Sequence, residues 1–459
     1  MSISKISGIA GVSLAGMAAL LVGIFADIDL QTKVCVIVMM IAVAMWITDW
    51  VPAVTTSFFC ILLLTFAGGV DSFTEALVGF SKPICYFLIG ILAMGFAVRV
   101  CGLAERVASY IINLSLGNPV LMYFQMLLSF VLLTFVLPSA TTRGAIIVNM
   151  YEEVLDSWHV AKTHPFHKML MMAMLALNRC ASTALLAGGI TPVVASGLLG
   201  DFSWIEWFVI MSVPFYLNLF VGGTILYFWY LKGVRELPVQ ELNKTSFGPL
   251  KPQEIKVIII ISITVILWFT DFIHGFHASV PAVLAFVLLM SPKIGILSWD
   301  ELQKGIAWSN FFITAAALSL GLAFLDSGGA QWMATSILSY GLQITENPSA
   351  LLVLVMVLIG LARIAFNNIS AYLVIMIPLT MGFASILGFE PIVIGFITVV
   401  IGDSVIFYCA GTGSGLIIFE RSGLTNMEVF RFACVMMLSV ILVAYFIVLP
   451  YWSLIGFTA

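Results

Sequence analysis

Long apolar stretches, separated by short polar segments, recur along the whole chain. A helix that crosses a bilayer needs about 20 mostly apolar residues. By this criterion the pattern predicts single helices at 7–26, 33–50, 51–69, 83–103, 204–231, 257–272, 279–292, 306–325 and 432–456. Polar residues interrupt four other apolar regions, which predicts re-entrant hairpins at 119–156 and 349–387 and broken helices at 168–200 and 392–419. We therefore expect an all-α polytopic membrane protein with about 11 transmembrane helices and two re-entrant hairpins.

The composition agrees with this prediction. Of the 459 residues, 62% are hydrophobic and 9% are charged, and the mean hydropathy is +1.14. A soluble domain carries about 25% charged residues. The net charge of −4 offers no basic surface for nucleic acid. The seven cysteines show no metal-ligand spacing and the five histidines lie in two predicted loops, so we predict no metal site and no cofactor.

A basic, proline-containing segment at 232–256 divides the chain into halves, 1–231 and 257–459. Because an excess of Lys and Arg marks cytoplasmic loops, we place this segment inside. Of the 19 basic residues, two then fall outside (Lys33 and Lys82), three lie at membrane depth, and the others fall inside. The N-terminus is predicted to be cytoplasmic and the C-terminus external. The two hairpins then enter from opposite sides, so the halves are predicted to be inverted repeats.

Polar interruptions occur at corresponding places in the two halves: 138–142 and 188–192 in the first, 367–370 and 411–413 in the second. Non-helical backbone at membrane depth is tolerated only inside protein or beside a water-filled cavity. The N-termini of half-helices suit an anion, and exposed carbonyls and hydroxyls suit a small cation. A single Ser or Thr in a membrane helix often only packs or bonds to a neighbour. The matched spacing favours a binding site between the repeats.

Three arginines lie at membrane depth: Arg143, Arg179 and Arg363. An intramembrane arginine indicates a functional site by default, and Arg143, beside the first interruption, is the strongest candidate. The alternative for Arg143 is a structural salt bridge, for example with Asp403. Arg179 and Arg363 could instead tie helices together. Asp49 and Asp403 are either sites for a coupling ion or proton, or polar groups at helix ends.

At these residues the sequence resembles the divalent anion:sodium symporter family of the ion transporter superfamily. WITDWVP (46–52) is similar to the family's W-x-T-E-x-x-P motif. PSATTRGA (138–145) and NNISAYLVIMIP (367–378) resemble the hairpin tips of its citrate/succinate and oxoglutarate/malate exchanger branch. GGITP (188–192) and AGTGSG (410–415) resemble its two helix-break motifs. The resemblance spans nearly the whole chain.

This resemblance implies a homodimer that carries di- and tricarboxylates or sulfate, with a scaffold domain and a moving transport domain in elevator-type alternating access. Arg143 matches the exchanger-branch arginine, which would neutralise a substrate carboxylate. Position by position, the residues implied in substrate binding are Ser139, Thr141, Arg143, Thr191, Asn368, Ser370 and Thr412. The resemblance also implies a binding site for a coupling ion, with sodium as the candidate. The residues implied at that site are Ser139, Gly189, Asn367, Asn368 and Gly411.

Three positions depart from the family pattern. Ala140 and Ile369 stand where sodium-coupled members have asparagines that help to build the sodium sites. Their loss puts sodium coupling in doubt and favours exchange, or coupling to another ion. Tyr372 replaces the histidine of the exchanger branch, so a citrate-like substrate does not follow from the resemblance.

The predicted function is secondary active transport of small divalent organic anions, C4-dicarboxylates or tricarboxylates, by exchange or cation-coupled symport across the bacterial inner membrane. The alternative within the superfamily is a cation/proton antiporter or a permease for sulfate-like oxyanions. Dependence on an intramembrane Asp, without need for Arg143, would favour that alternative. An intramembrane enzyme would show clustered acidic, His or Cys residues at membrane depth, and no histidine lies in a predicted span. We therefore expect a transporter and not an enzyme.

Overall fold

The computed structural model of the chain describes residues 16, 23, 26–48, 51–137, 140–241, 247–342, 347–366, 368–409 and 415–457. Throughout these residues the secondary structure is helical. In chain order the α-helices are Leu30–Thr48, Ala53–Phe66, Phe73–Ala76, Val78–Ser81, Pro83–Cys101, Leu103–Asn113, Pro119–Val136, Ala140–Ser157, Pro165–Ala176, Asn178–Thr183, Ile190–Leu199, Trp204–Trp229, Leu231–Glu236, Pro252–Phe269, Asp271–His274, Ser279–Met290, Trp299–Gly305, Trp308–Asp326, Gly329–Leu342, Pro348–Ala365, Ile369–Met381, Ala384–Leu387, Pro391–Ser404, Gly415–Ser422, Asn426–Val443 and Leu449–Leu454.

Within the described residues, seven helices are long and apolar enough to cross a membrane, and shorter apolar helices of 10–17 residues accompany them. Some of the shorter helices supply arms of the hairpins and halves of the broken helices. Backbone polar groups inside a bilayer must be bonded within the protein, and helices meet this need within one segment. The prediction of an all-α polytopic membrane protein is confirmed. Most of the first predicted span, 7–26, lies outside the described residues.

Four composite elements surround the polar interruptions. The first hairpin consists of Pro119–Val136 and Ala140–Ser157, and the second hairpin consists of Pro348–Ala365 and Ile369–Met381. The second broken helix consists of Pro391–Ser404 followed by Gly415–Ser422, and its break includes residues outside the described ranges. In each case the helix ends close to a polar interruption of the sequence.

The first broken helix has two successive interruptions. Its parts are Pro165–Ala176, Asn178–Thr183, a 3₁₀ turn at Leu186–Gly188, and Ile190–Leu199. The chain doubles back so closely here that a Cβ on Gly188 would lie 1.7 Å from the backbone oxygen of Ser182. Only glycine fits this approach, and the turn leaves both new helix ends facing the protein interior.

The two hairpins begin with the same local chemistry. Asn118 precedes Pro119, and Asn347 precedes Pro348; each asparagine side chain accepts hydrogen bonds from two backbone N–H groups of the first helical turn. Asparagine is a favoured N-cap, and proline suits the first helical position because its missing N–H would be unbonded there anyway. This correspondence between the halves is visible in the sequence, but the apolar pattern alone did not reveal it.

A second correspondence follows the broken helices. The next helix after each one starts with a capping box, formed by Ser203 with Glu206 in the first half and by Thr425 with Glu428 in the second. The hydroxyl accepts from the backbone of the glutamate while the glutamate accepts from the backbone of the hydroxyl residue. Each box sets where the following transmembrane helix begins.

Two helices lie where the sequence predicted loops. Leu103–Asn113 has 11 residues and Gly329–Leu342 has 14, and in both helices polar residues interrupt the apolar run that the prediction relied on. The prediction that both histidine groups lie in loops was wrong for two residues: His167 is buried in the first turn of Pro165–Ala176, and His274 is the last residue of Asp271–His274. The local pattern was read as beginning one turn later.

The broken helices lie at the centre and the long helices lie around them. In Pro391–Ser404, every residue from Val393 to Ser404 is buried. In contrast, Pro252–Phe269 exposes a row of isoleucines at helical spacing, Ile255, Ile259, Ile263 and Ile266. Such an apolar face suits lipid. Pro391–Ser404, the described part of the second broken helix before its break, is therefore enclosed by protein from Val393 onward, as polar groups at membrane depth require.

Candidate functional site

A buried ion pair joins the two broken helices. Arg179 Nη2 donates to Asp403 Oδ1, and the Thr183 hydroxyl donates to Asp403 Oδ2. Thr191 completes the group, since its hydroxyl lies 3.1 Å from Arg179 Nη2 and 3.3 Å from Asp403 Oδ1. At this point the two halves of the chain meet through one cation, one anion and two hydroxyls.

The helix ends explain why these groups meet. Asp403 is the penultimate residue of Pro391–Ser404, and the carbonyl end of a helix is unfavourable for an anion. It is only 1% exposed, so its charge needs a partner inside the protein. Arg179, in Asn178–Thr183, supplies that partner, and the N-terminus of Ile190–Leu199 adds a partial positive charge beside it.

Arg143 lies next to this group but faces another way. It is fully buried, and its guanidinium donates to Asn178 Oδ1 at 2.7 Å, to the Asn178 carbonyl at 2.9 Å, to the Leu137 carbonyl at 3.1 Å and to the Ser182 hydroxyl. The suggested salt bridge with Asp403 was therefore wrong, because that carboxylate pairs with a different arginine. Arg143 ties the first hairpin to the first broken helix and does not face an accessible site.

Arg363 is also enclosed. Its Nε donates to the Gly402 carbonyl at 3.1 Å, its Nη1 donates to the Phe366 carbonyl, and its guanidinium lies 5.8 Å from the centre of the Tyr372 ring. It is 2% exposed. Arg363 therefore links the second hairpin to the second broken helix, as the alternative for this residue proposed. Of the three intramembrane arginines, Arg179 alone is partly exposed, with 11% of its side chain accessible.

Tyr372, which replaces the histidine of the exchanger branch, is buried against the second broken helix. Its hydroxyl donates to the Ile359 carbonyl at 3.1 Å. A Cβ on Gly402 would lie 2.1 Å from the tyrosine ring, so the ring fills the space that glycine leaves. In this structure Tyr372 packs helices together and does not face the Arg179–Asp403 pair with its hydroxyl.

We expect Tyr372→Phe to fold with the same helix packing, because the packing ring is kept and one interhelical hydrogen bond is lost. That loss should lower stability by about 1 kcal/mol. The measurement is the unfolding temperature in detergent. An unchanged unfolding temperature would show that the bond to the Ile359 carbonyl contributes nothing to stability.

The structure separates the other predicted site residues. The Asn368 side chain accepts from the backbone N–H groups of Ser370 at 2.8 Å and Ala371 at 3.4 Å, which makes it the N-cap of the second arm of the second hairpin. Thr141 is exposed in the first turn of Ala140–Ser157, and Gly189 is extended at the first break. The predicted site residues outside the described ranges, together with the candidate Asp49, are Ser139, Asn367, Gly411 and Thr412.

Sequence reasoning ranked Arg179 below Arg143 and did not single out Thr183, Asn178 or Ser182. A usable indication was present in NRCAST (178–183), where polar residues recur at i and i+4 in an apolar region. One such pair, Asn178 and Ser182, faces Arg143, while Arg179 and Thr183 face the carboxylate. A single helical turn thus presents two polar faces.

The chain matches the family described as the sodium:sulfate symporter transmembrane region over residues 12–458. The chain belongs to this family. The resemblance to the divalent anion:sodium symporter family is thereby confirmed for nearly its whole length.

Individual members of the family differ considerably from this chain. The L-tartrate/succinate antiporter of Escherichia coli K12 is 23% identical over 329 residues, which cover 67% of this chain and 65% of that protein. An uncharacterized transporter of Haemophilus influenzae is 25% identical over 354 residues, 73% of each chain. A membrane protein of Cupriavidus necator is 21% identical over 371 residues, 74% of this chain and 71% of that one.

The fold also resembles a solved structure, that of the YdaH transporter of Alcanivorax borkumensis. The TM-score is 0.51 with 14% sequence identity, and the match covers 85% of this chain and 89% of that one. At this identity the likeness concerns the fold alone. The family membership and the antiporter relatives mean that this sodium:sulfate symporter family member is an integral membrane transporter of anions and not an enzyme.

Proposed function

We propose that this transporter moves small divalent organic anions, and C4-dicarboxylates in particular, by exchange or cation-coupled symport across the bacterial inner membrane. The observation that carries the proposal is the Arg179–Asp403 pair, with Thr183 and Thr191, where the two broken helices meet. The named L-tartrate/succinate antiporters of the family support a substrate with two carboxylates.

The chemistry of the pair suits a carboxylate ligand. The guanidinium of Arg179 already holds a carboxylate, that of Asp403, and guanidinium binds carboxylates through a planar fork of N–H donors. The Thr191 hydroxyl and the N-terminus of its helix favour the same ligand. One substrate carboxylate would take the place of Asp403 on Arg179. Its second carboxylate would extend toward the hairpin residues Thr141, Asn368 and Ser370.

This proposal transfers the substrate-neutralising role from Arg143 to Arg179. Arg143 holds Asn178 and Ser182, which lie on the other face of the turn that carries Arg179. We propose that Arg143 positions the helical turn that carries Arg179 through its bonds to Asn178 and Ser182. Ser139 and Thr412 remain proposed substrate contacts, and Gly189, Asn367 and Gly411 remain proposed neighbours of a coupling ion, by resemblance to the family.

The transport cycle that we propose is elevator-type alternating access by a homodimer with inverted repeats, 1–231 and 257–459, linked by 232–256, with the N-terminus cytoplasmic and the C-terminus external. Support comes from the family resemblance, the basic linker and the matching caps of the two hairpins. The broken helices and the hairpins would form the moving domain, since they carry the polar residues.

A cation/proton antiporter or an oxyanion permease is the second candidate, and the buried Asp403 favours it because intramembrane acids commonly carry cations. The two candidate functions differ in whether they require the positive charge of Arg179. A dicarboxylate carrier needs its positive charge to bind substrate, whereas a cation antiporter needs only the acid.

Uptake of labelled succinate into proteoliposomes tests the proposal. We expect uptake above that of protein-free liposomes, faster when the vesicles contain succinate, and inhibited by external L-tartrate. Acceleration by internal succinate identifies exchange, and uptake into empty vesicles driven by an ion gradient identifies symport. Uptake that only sulfate inhibits, or cation flux with no succinate uptake, would contradict the proposal and favour the second candidate.

A further inference from the structure

We propose that Asp403 is the coupling residue and that it takes up a proton each time a substrate dianion binds. This inference rests on the proposed function, because it requires a substrate carboxylate to occupy Arg179. It names the coupling ion, a proton, which the proposed function leaves open between exchange and cation-coupled transport.

The first step is a competition for the same donors. Asp403 Oδ1 accepts from Arg179 and lies 3.3 Å from the Thr191 hydroxyl. These are the groups that the substrate carboxylate would use. The Asp403 carboxylate therefore occupies the proposed anion site when no substrate is bound, and a substrate carboxylate must displace it.

Displacement by substrate leaves the Asp403 carboxylate without its cationic partner. Asp403 is 1% exposed and ends a helix whose carbonyl dipoles disfavour an anion. An unpaired carboxylate in this position is disfavoured, because a buried charge that loses its ion-pair partner is costly, and the guanidinium of nearby Arg363 is already bonded to the Gly402 and Phe366 carbonyls. Buried carboxyl groups that lose their partner take up a proton and become neutral. Substrate binding and protonation of Asp403 are then linked.

The neutral acid has a hydrogen-bond partner in place. Thr183 now donates to Asp403 Oδ2, and a hydroxyl both donates and accepts, so Thr183 can instead accept a hydrogen bond from the O–H group of the carboxylic acid. The proton comes from bulk water and forms an O–H bond on the carboxylate, with no change in oxidation state. It leaves when substrate departs and Arg179 pairs with Asp403 again.

The titratable and charged groups that face Asp403 in the described chain agree with this linkage. Arg179 and Cys180 come from the first broken helix, and Arg363 and Tyr372 come from the second hairpin. The two arginines oppose protonation while the site is empty. A substrate dianion bound to Arg179 offsets that positive charge. Binding of the dianion therefore raises the affinity of Asp403 for a proton, and protonation of Asp403 raises the affinity for the dianion.

Proton uptake on substrate addition tests the inference without a transport assay. Purified full-length protein in weakly buffered detergent, with a pH indicator dye, is titrated with succinate or L-tartrate at roughly pH 7 to 9, where both acids are dianions. Wild type should take up about one proton per bound substrate. Its apparent affinity for the dicarboxylate should fall about tenfold for each unit by which the pH is raised. Asp403→Asn should bind with no proton uptake and with a flat pH dependence.

The matched control is Glu390→Gln, which makes the same charge change at an exposed position just before the same helix and should behave as wild type. Should the asparagine variant fail to fold, Asp403→Glu keeps a titratable group in the site. Proton uptake should then persist with its pH midpoint shifted, and an unshifted midpoint would overturn the inference.

Other outcomes separate this inference from the proposed function. Substrate binding without proton uptake, and dependent on sodium when sodium replaces choline, would assign sodium as the coupling ion and overturn the proton. Unchanged proton uptake in Asp403→Asn would overturn the role of Asp403. No binding of either dicarboxylate to wild type would overturn the proposed function, and this inference with it.

Discussion

Succinate uptake by Arg179→Ala proteoliposomes is expected to fall about 30-fold or more below wild type. The reason is that truncating one member of a buried, hydrogen-bonded charge contact costs about 2–5 kcal/mol, which corresponds to a loss of that size or greater. Arg179 is the only intramembrane arginine of the three whose side chain is partly exposed, so neither Arg143 nor Arg363 can take its place. The measurement is the initial rate of labelled succinate uptake at equal protein incorporation.

The alanine variant also leaves Asp403 buried without its partner, which by itself destabilises the protein. Arg179→Ala/Asp403→Asn removes both charges and is the control for folding. We expect it to approach wild type in unfolding temperature and still to transport no succinate. Arg179→Lys should keep the pair but lose the planar fork, giving an intermediate rate. Near-normal succinate uptake by the double variant would refute a substrate role for Arg179.

Arg143→Ala is expected to destabilise the protein by about 3 kcal/mol or more. Its removal leaves the acceptor groups of Asn178, Ser182 and Leu137 buried without a donor, and each such group costs about 1–3 kcal/mol. The measurement is the unfolding temperature in detergent and the monodisperse yield of the purified protein. We expect both to fall, with transport lost because the turn that carries Arg179 is no longer held.

Arg143→Lys is the matched variant, because it keeps the charge but not the several donors that Arg143 uses. It should recover part of the stability and part of the transport together. A variant at Arg143 that unfolds at the wild-type temperature, yet binds no succinate, would restore the assignment of Arg143 to the substrate.

The apolar pattern predicted the membrane fold because the bilayer imposes length and apolarity on each span separately. That requirement is local, so it can be read from Pro83–Cys101 or Trp308–Asp326 without knowing their neighbours. It failed for Leu103–Asn113, which is helical but too short and too polar to count as a span. The Asn-Pro and capping-box starts of the helices are equally local and could have refined the boundaries.

The candidate site was predicted less completely. The breaks near Pro192 and Thr191 were recognised from their motifs, because a helix interruption at membrane depth is rare and needs a reason. The assignment of partners was not recognised. Arg143 and Arg179 are both intramembrane arginines beside polar residues, and nothing local distinguishes the one that faces Asp403 from the one that faces Asn178.

What the sequence determined by itself is therefore the class of protein, its helical segments, its family and the places where helices break, since each follows from residues close together in the chain. Only the tertiary structure decided that Asp403, 224 positions from Arg179, is its partner, and that Arg143 is enclosed. The physical reason is that charge pairing depends on distance and burial. Both are set by how the broken helices of the two halves pack, and not by the residues next to each charge.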